Sequence, residues 1–331
     1  FVLQAAGLAL SFILAKVAAL VFSLWPLLRT FGRPRGWQPH PLRLGELALL
    51  SAPLAGADMV EWGTRKLDIA LLGFFTSPVA VGVYYAAQQV ASLPQKLKTS
   101  FEPILGPVIT RNLRDGNRAA IAAQVNQVGF WIIAAQAGIA LALAIPGEAV
   151  MGLIGPQFVG GTGALTFLLM AEVVAATAVV SEAALVYMAR LKNLWLSLAT
   201  IALQAVLTVA GIMLVRHYAL GDKFAAAAAA GALLLALGFA SLAKGWLLGR
   251  LLKAPVNPFR WPLVWAMAPA VLVGWGVTRY LPEWAELALG LPAILFTYGF
   301  VIWHKGFGPE DRVLFRKNVG GSAEAAQEGK Q

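Results

Sequence analysis

Residues 44–111 read LGELALLSAPLAGADMVEWGTRKLDIALLGFFTSPVAVGVYYAAQQVASLPQKLKTSFEPILGPVITR. Two mostly apolar runs, 44–75 and 79–109, make up nearly all of this stretch. A helix needs about 20 such residues to cross a hydrocarbon core, so both runs are long enough with turns to spare. The surplus predicts tilt, protrusion or kinks, with Pro53 and Pro94 as the kink points. In the first run Asp58, Glu61, Arg65 and Asp68 are spaced 3, 4 and 3. At about 100° per residue they share an arc of roughly 80° on one helix face. In the second run Gln88, Ser92, Gln95, Thr99 and Glu102 form a matching stripe, with Lys96 and Lys98 on its edges. Ionisable groups are costly in a bilayer and usually face a bundle interior or a watery cavity. Two successive helices carrying such stripes predict a hydrophilic cavity between them. Blander readings stay open. Glu61 and Arg65 are an acid-before-base pair at i,i+4 that can simply neutralise itself, and Lys66, Asp68 and Lys98 can sit at the water interface.

The rest of the chain agrees with a membrane reading. Of 331 residues, 59% are apolar and 13% charged, and the mean hydropathy is +0.71. Soluble domains average about 45–50% apolar and about 25% charged. So few charges cannot cover the surface of a water-soluble fold, and so much apolar content excludes disorder over most of the length. Nine segments qualify as membrane helices: 1–28, 44–75, 79–109, 124–145, 163–188, 194–215, 224–248, 261–280 and 285–303. Ala/Leu-rich runs without period-2 alternation do not read as a β-barrel. The expected fold class is therefore all-α and polytopic. The chain starts at Phe1 inside an apolar run too long and continuous for a signal peptide. That start predicts a piece of a longer membrane protein.

Basic residues give an orientation. Eighteen of the 26 Lys and Arg residues fall on one side of the alternating crossings, and only Arg216, Lys223 and Arg279 on the other. Lys244, Arg250, Lys253 and Arg260 belong to the rich side, as do Arg29, Arg33, Arg35 and Arg43. Cytoplasmic loops carry this excess, so the C-terminus is expected in the cytoplasm. The net charge of +10 then needs no nucleic-acid partner. Trp25, Trp195, Trp246, Trp261, Trp284 and Trp303 lie near segment ends, as interface anchors do. The far-side connections are short, the longest being 146–162, and no soluble domain is inserted. The tail 306–331 is polar and small-residue rich, which predicts disorder after Phe315.

Three further intramembrane groups are candidates. Glu172 and Glu182 share one face of the fifth segment, where a buried carboxylate can carry a proton, although Glu182 can also be read as approaching the interface. Lys16 is a cavity cation or an ordinary helix–helix partner. Other chemistry finds no motif. There is no phosphate-binding G-x-x-x-x-G-K-[ST] loop, no Cys, no histidine cluster with metal spacing and no Ser/His/Asp set. Neither a cofactor nor a metal is expected, and the chain does not read as an enzyme.

The proline in the first turns of 44–75, the Asp before "IALLGFF", then "VGVYYAAQQVASLP" and a late "GPVITR" resemble the Wzx-type polysaccharide-biosynthesis flippases. These belong to the multidrug/oligosaccharidyl-lipid/polysaccharide exporter superfamily. "MGLIGPQFVGGTGAL" in 151–165 is similar to a later loop and helix of that family. The resemblance implies two six-helix bundles around a central cavity, with two extra C-terminal helices, fourteen in all. On that layout 1–28 is the last helix of the first bundle and 29–43 a basic cytoplasmic linker. Residues 44–250 form the second bundle, 261–303 the extra pair and 306–331 a cytoplasmic tail. Five earlier helices, and with them most of one lobe, would then lie outside this chain.

The resemblance further implies a bacterial inner-membrane protein that moves an undecaprenyl-pyrophosphate-linked oligosaccharide to the periplasmic leaflet, driven by ions or protons. Membrane lipids, a polysaccharide polymerase and chain-length proteins are its implied partners. Hiding a pyrophosphate and many hydroxyls from hydrocarbon calls for cations and amides. Lys16, Arg65, Lys96 and Lys98 are the candidates for the first, and Gln88, Gln89, Ser92, Gln95 and Thr99 for the second. Asp58, Glu61, Glu102 and Glu172 are the candidates for coupling. Three other readings compete: a drug/cation antiporter of the same superfamily, a lipid II flippase, and a membrane glycosyltransferase or polymerase. The mixed charge of the two stripes argues against the antiporter, and the nearly bare far side argues against the glycosyltransferase.

Overall fold

A computed structural model describes residues 2–31, 41–308 and 311, with the side chains of some helical positions outside the described set. All regular structure among the described residues is helical. The long helices are α1 (Val2–Phe31), α2 (Pro41–Phe75), α3 (Pro78–Arg114) and α4 (Arg118–Ala144). After a short α5 (Gly147–Ile154) come α6 (Thr162–Met188), α7 (Arg190–His217), α8 (Asp222–Leu252), α9 (Pro262–Tyr280) and α10 (Glu283–Gly306). In α10, π turns at Glu286–Gly290 and Ile302–Gly306 flank a regular stretch, Leu291–Val301. Each of the nine apolar segments falls in one of these helices. Among the described residues, five regions are long and apolar enough to cross a membrane: α4, Pro156–Met188 (which includes α6), α7, α8 and α10. In α2 and α3 the charged stripes interrupt the apolar run. The 146–162 connection is structured, holding α5 and a 3-10 turn at Pro156–Gly161.

Local chemistry sets the helix ends. The Ser77 hydroxyl accepts the Ala80 N–H at 3.3 Å and Pro78 supplies the first turn, so α3 starts there. The Asn117 side chain caps α4 in the same way at 3.1 Å. Gly116, at φ +69°, makes the tight reversal between them.

The chain divides into two compact units, Phe1–Gly56 and Ala57–Gln331. The first holds α1 and the start of α2. Large side chains of α1, among them Leu14, Phe22 and Trp25, are exposed, which suits a helix bathed in lipid.

The second unit is a bundle built around α6. It packs mainly on α8, then on α4 and α3, while α7 packs on α8. One apolar cluster joins parts of α3, α4, α6 and α8 to α9 and α10, with Phe130, Ile132 and Leu185 fully buried. Another joins the end of α2 and parts of α3 and α6 to the end of α7 and the start of α8, with Leu72, Met151 and Ile212 fully buried. Val173 packs against both. The Ala-rich start of α8 buries Ala225, Ala226, Ala229 and Ala230. A Cβ on Gly211 of α7 would lie 3.2 Å from the Cβ of Ala228, so small residues are what let these two backbones approach.

Candidate functional site

Near Val173, where the two apolar clusters meet, the helices turn polar groups toward one another. The Gln95 side-chain N–H of α3 donates to Glu172 Oε1 of α6 at 3.3 Å. One residue away, the Pro94 carbonyl accepts from Gln136 Nε2 of α4 at 3.2 Å, and Gln136 is buried. Ser241 of α8 reaches α6 just beyond Glu172. Its hydroxyl donates to the Val174 carbonyl at 2.6 Å and accepts the Ala178 N–H at 3.2 Å. That hydroxyl thus enters the i,i−4 ladder of α6, a recognised cause of local bending. These residues lie near the middle of their helices, so the four helices share a polar belt halfway along the bundle.

The outer part of the belt is accessible. Gln88, Ser92, Gln95 and Glu172 are half-buried, and Gln89 and Lys96 are exposed. Gln89 Nε2 donates to the Tyr85 hydroxyl at 2.7 Å, and Ser92 donates to the Gln89 carbonyl at 2.7 Å. A carboxylate held by an amide, with further amides and a cation on the same helix, is a surface that can bind polar solutes inside a membrane. Among the candidates from sequence, this face brings together Gln88, Ser92, Gln95, Lys96 and Glu172. The side chains of Asp58, Glu61, Arg65, Lys98, Thr99 and Glu102 lie outside the described residues. Lys16 is exposed on α1 and belongs to the first unit.

Three groups differ from the sequence reading. Asp68 does not sit at a water interface. It is fully buried, bonded by the Tyr84 hydroxyl of α3 and by the Ile69 N–H at 2.8 Å, so it ties α2 to α3. Lys244 is not a loop cation. It lies buried on α8, its ammonium 2.9 Å from Glu182 of α6 and 3.0 Å from the Ser197 hydroxyl of α7. Glu182 also accepts from Asn193 Nδ2 at 3.0 Å, so it is engaged as a structural acid between three helices.

The third is a seam on α7 that charge-based reading missed. Asn193, Thr200, Gln204 and Thr208 are buried on one face, while Leu198, Val206 and Met213 are exposed. With Ser197 the spacing is 4, 3, 4 and 4, a helical stripe visible in the sequence once neutral polar residues are counted.

A second polar cluster forms where the residues after α10 meet α4 and the start of α9. Asp311 accepts from Gln127 Nε2 at 2.9 Å, Trp131 Nε1 at 3.0 Å, Arg260 Nη1 at 2.9 Å and the Gly308 N–H at 2.9 Å. Burial pushes its carboxyl up, but the bonds from Gln127, Arg260 and Gly308 and the Arg260 charge outweigh this, leaving it below the ordinary value of 3.8. Among the described residues no cluster of His, Asp and Glu could hold a metal ion. No family model, curated protein or solved structure matches the chain.

Proposed function

We propose that the chain is the second-bundle portion of a polytopic flippase for polyprenyl-pyrophosphate-linked oligosaccharides, acting in the bacterial inner membrane. The observation that carries this reading is the Gln95–Glu172 bond at the centre of the mid-bundle polar belt. Amides and hydroxyls of α3 would take the place of water around sugar hydroxyls, and Lys96 would balance the pyrophosphate. Glu172, held by Gln95, would couple turnover to proton or cation entry, the common use of an intramembrane acid. Nine crossings with a cytoplasmic C-terminus fit the basic-residue asymmetry, and the family resemblance extends them to fourteen in the whole assembly.

Topology is directly testable because the chain has no Cys. Single cysteines at Arg114 and Lys253 should react with a membrane-impermeant reagent only from the cytoplasmic side, and one at Lys223 only from the other. Transport is tested with proteoliposomes containing either a lipid-linked oligosaccharide or a cationic dye. Movement of the first and not the second supports the flippase. Movement of the dye alone makes the protein an antiporter. The mixed polar character of the α3 face favours the first outcome.

A further inference from the structure

At the end of α8 the chain forms an open recess of about 490 Å³, with Trp246, Arg250, Lys253, Pro255, Val256 and Asn257 among its lining residues. We infer that this recess binds the headgroup of an anionic phospholipid. Two of its lining residues are cations and none is an acid. The Arg250 guanidinium lies 5.3 Å from the centroid of the Trp246 ring, and Trp246 is 64% exposed. An indole at the end of a membrane-length helix belongs at headgroup level, and this cation–π contact holds the guanidinium there as well. Lys253 is exposed and caps the helix in the left-handed region, at φ +54°. Its N–H and that of Ala254 both bond the Gly249 carbonyl. Part of the partial negative charge at this helix end is thereby answered by the chain itself, which leaves both side-chain cations to face a ligand.

The recess is also preformed. Asn126 of α4 donates to the Pro255 carbonyl at 3.0 Å and accepts the Asn257 N–H at 2.8 Å. A Cβ on Gly129 would come within 2.7 Å of Pro258, so the linker after α8 lies tight against α4. Binding to a fixed linker costs little ordering entropy. The mixture of surfaces selects a lipid over a free phosphate. Arg250 and Lys253 suit the phosphodiester, while Trp246, Ala254, Pro255 and Val256 offer apolar surface to the glycerol and first acyl carbons. Only a position at the membrane edge is required, so the inference stands apart from the identity of any transported solute.

Native mass spectrometry of the purified chain tests it, with phosphatidylglycerol and phosphatidylcholine of identical acyl chains offered together. The wild type should retain phosphatidylglycerol about tenfold or more in preference, as two basic groups at a lipid surface imply. Arg250→Ala/Lys253→Ala should abolish the preference, while Arg216→Ala/Lys223→Ala, which removes the same charge elsewhere, should keep it. Thermal unfolding in the same detergent confirms that both variants are folded. An unchanged preference in Arg250→Ala/Lys253→Ala would overturn the inference. So would equal loss in both variants, or displacement of the lipid by inorganic phosphate.

Discussion

Arg260 grips Asp311 at 2.9 Å while its guanidinium lies 4.2 Å from the centroid of the Phe130 ring. The cation thus satisfies a buried carboxylate and an aromatic face of α4 at once. Phe307 completes the arrangement, edge-on to Phe130, Trp131 and Trp303. Together these contacts fasten the segment after α10 to α4 and to the start of α9. The clasp makes α9 and α10 part of the same packed body as α4, in keeping with the apolar cluster that all three share.

The clasp should be acid-sensitive. The folded-state pKa of Asp311 lies below its ordinary value of 3.8, so the unfolded chain binds more protons in acid. Its contribution is complete above that value and is lost as pH falls below it, through the folded-state pKa. Asp311→Asn should unfold at lower temperature at neutral pH, by about 1–3 kcal/mol, because Arg260 loses its charged partner. The variant should also lose the acid-dependent part of the melting curve. Thermal unfolding in detergent across pH reads both effects, and a variant as stable and as acid-sensitive as the wild type would refute the clasp.

Lys244 should be costly to remove alone. Lys244→Met leaves Glu182 with the Asn193 amide but without its cation, at a cost of about 1–3 kcal/mol. This falls below the figure for a fully buried pair because the Glu182 side chain is 42% exposed. Lys244→Met/Glu182→Gln should recover part of the loss, since the amide can still accept from Asn193 and no charge is stranded. A double-mutant cycle on unfolding measures the coupling. Strict additivity would mean that the pair contributes nothing of its own.

What could be read from the sequence follows from what averaging preserves. The positions of the nine long helices were legible because 20-residue apolar runs dominate any window. The Gln95 stripe was legible because its amides and charges repeat at helical spacing, but its partner Glu172 lies 77 residues away and no local pattern announces that contact. The α7 seam was missed because Asn, Ser, Thr and Gln barely lower the hydropathy of a Leu/Val-rich helix. Lys244 counts with the cytoplasmic-side cations because a cation near the end of an apolar run ordinarily reaches for water, whereas here Glu182 and Ser197 hold it inside. Asp311 was hidden in a polar, small-residue tail, where nothing local marks a buried carboxylate. The rest of that tail, 312–331, lies outside the described residues.

Tyr84→Phe tests the tie between α2 and α3. It removes the side-chain hydroxyl that bonds Asp68 and leaves a fully buried carboxyl with backbone N–H donors, that of Ile69 among them. The expected loss is about 1–3 kcal/mol, the usual cost of stranding a buried polar group. Tyr84→Phe/Asp68→Leu should regain most of it, because both polar partners then disappear together. Unfolding in detergent distinguishes the two variants. A Tyr84→Phe protein as stable as wild type would mean that Asp68 is satisfied by other means.

Glu172→Gln separates a coupling role from a structural one. The amide keeps the volume and can still accept from Gln95, so abundance and melting temperature should stay near wild type. Proton- or cation-driven movement of a lipid-linked oligosaccharide should fall at least about tenfold, because a group that cannot ionise cannot exchange the driving ion. Gln95→Leu should act differently. It deprives Glu172 of the Gln95 amide and should change the pH dependence of transport, because the carboxyl loses a donor that holds it in place. Lys96→Ala should weaken binding of the pyrophosphate substrate with little effect on that pH profile. The proteoliposome assay, run across pH for all three variants, measures these outcomes in one series. If Glu172→Gln transports at the wild-type rate with an unchanged pH profile, the belt has no part in coupling.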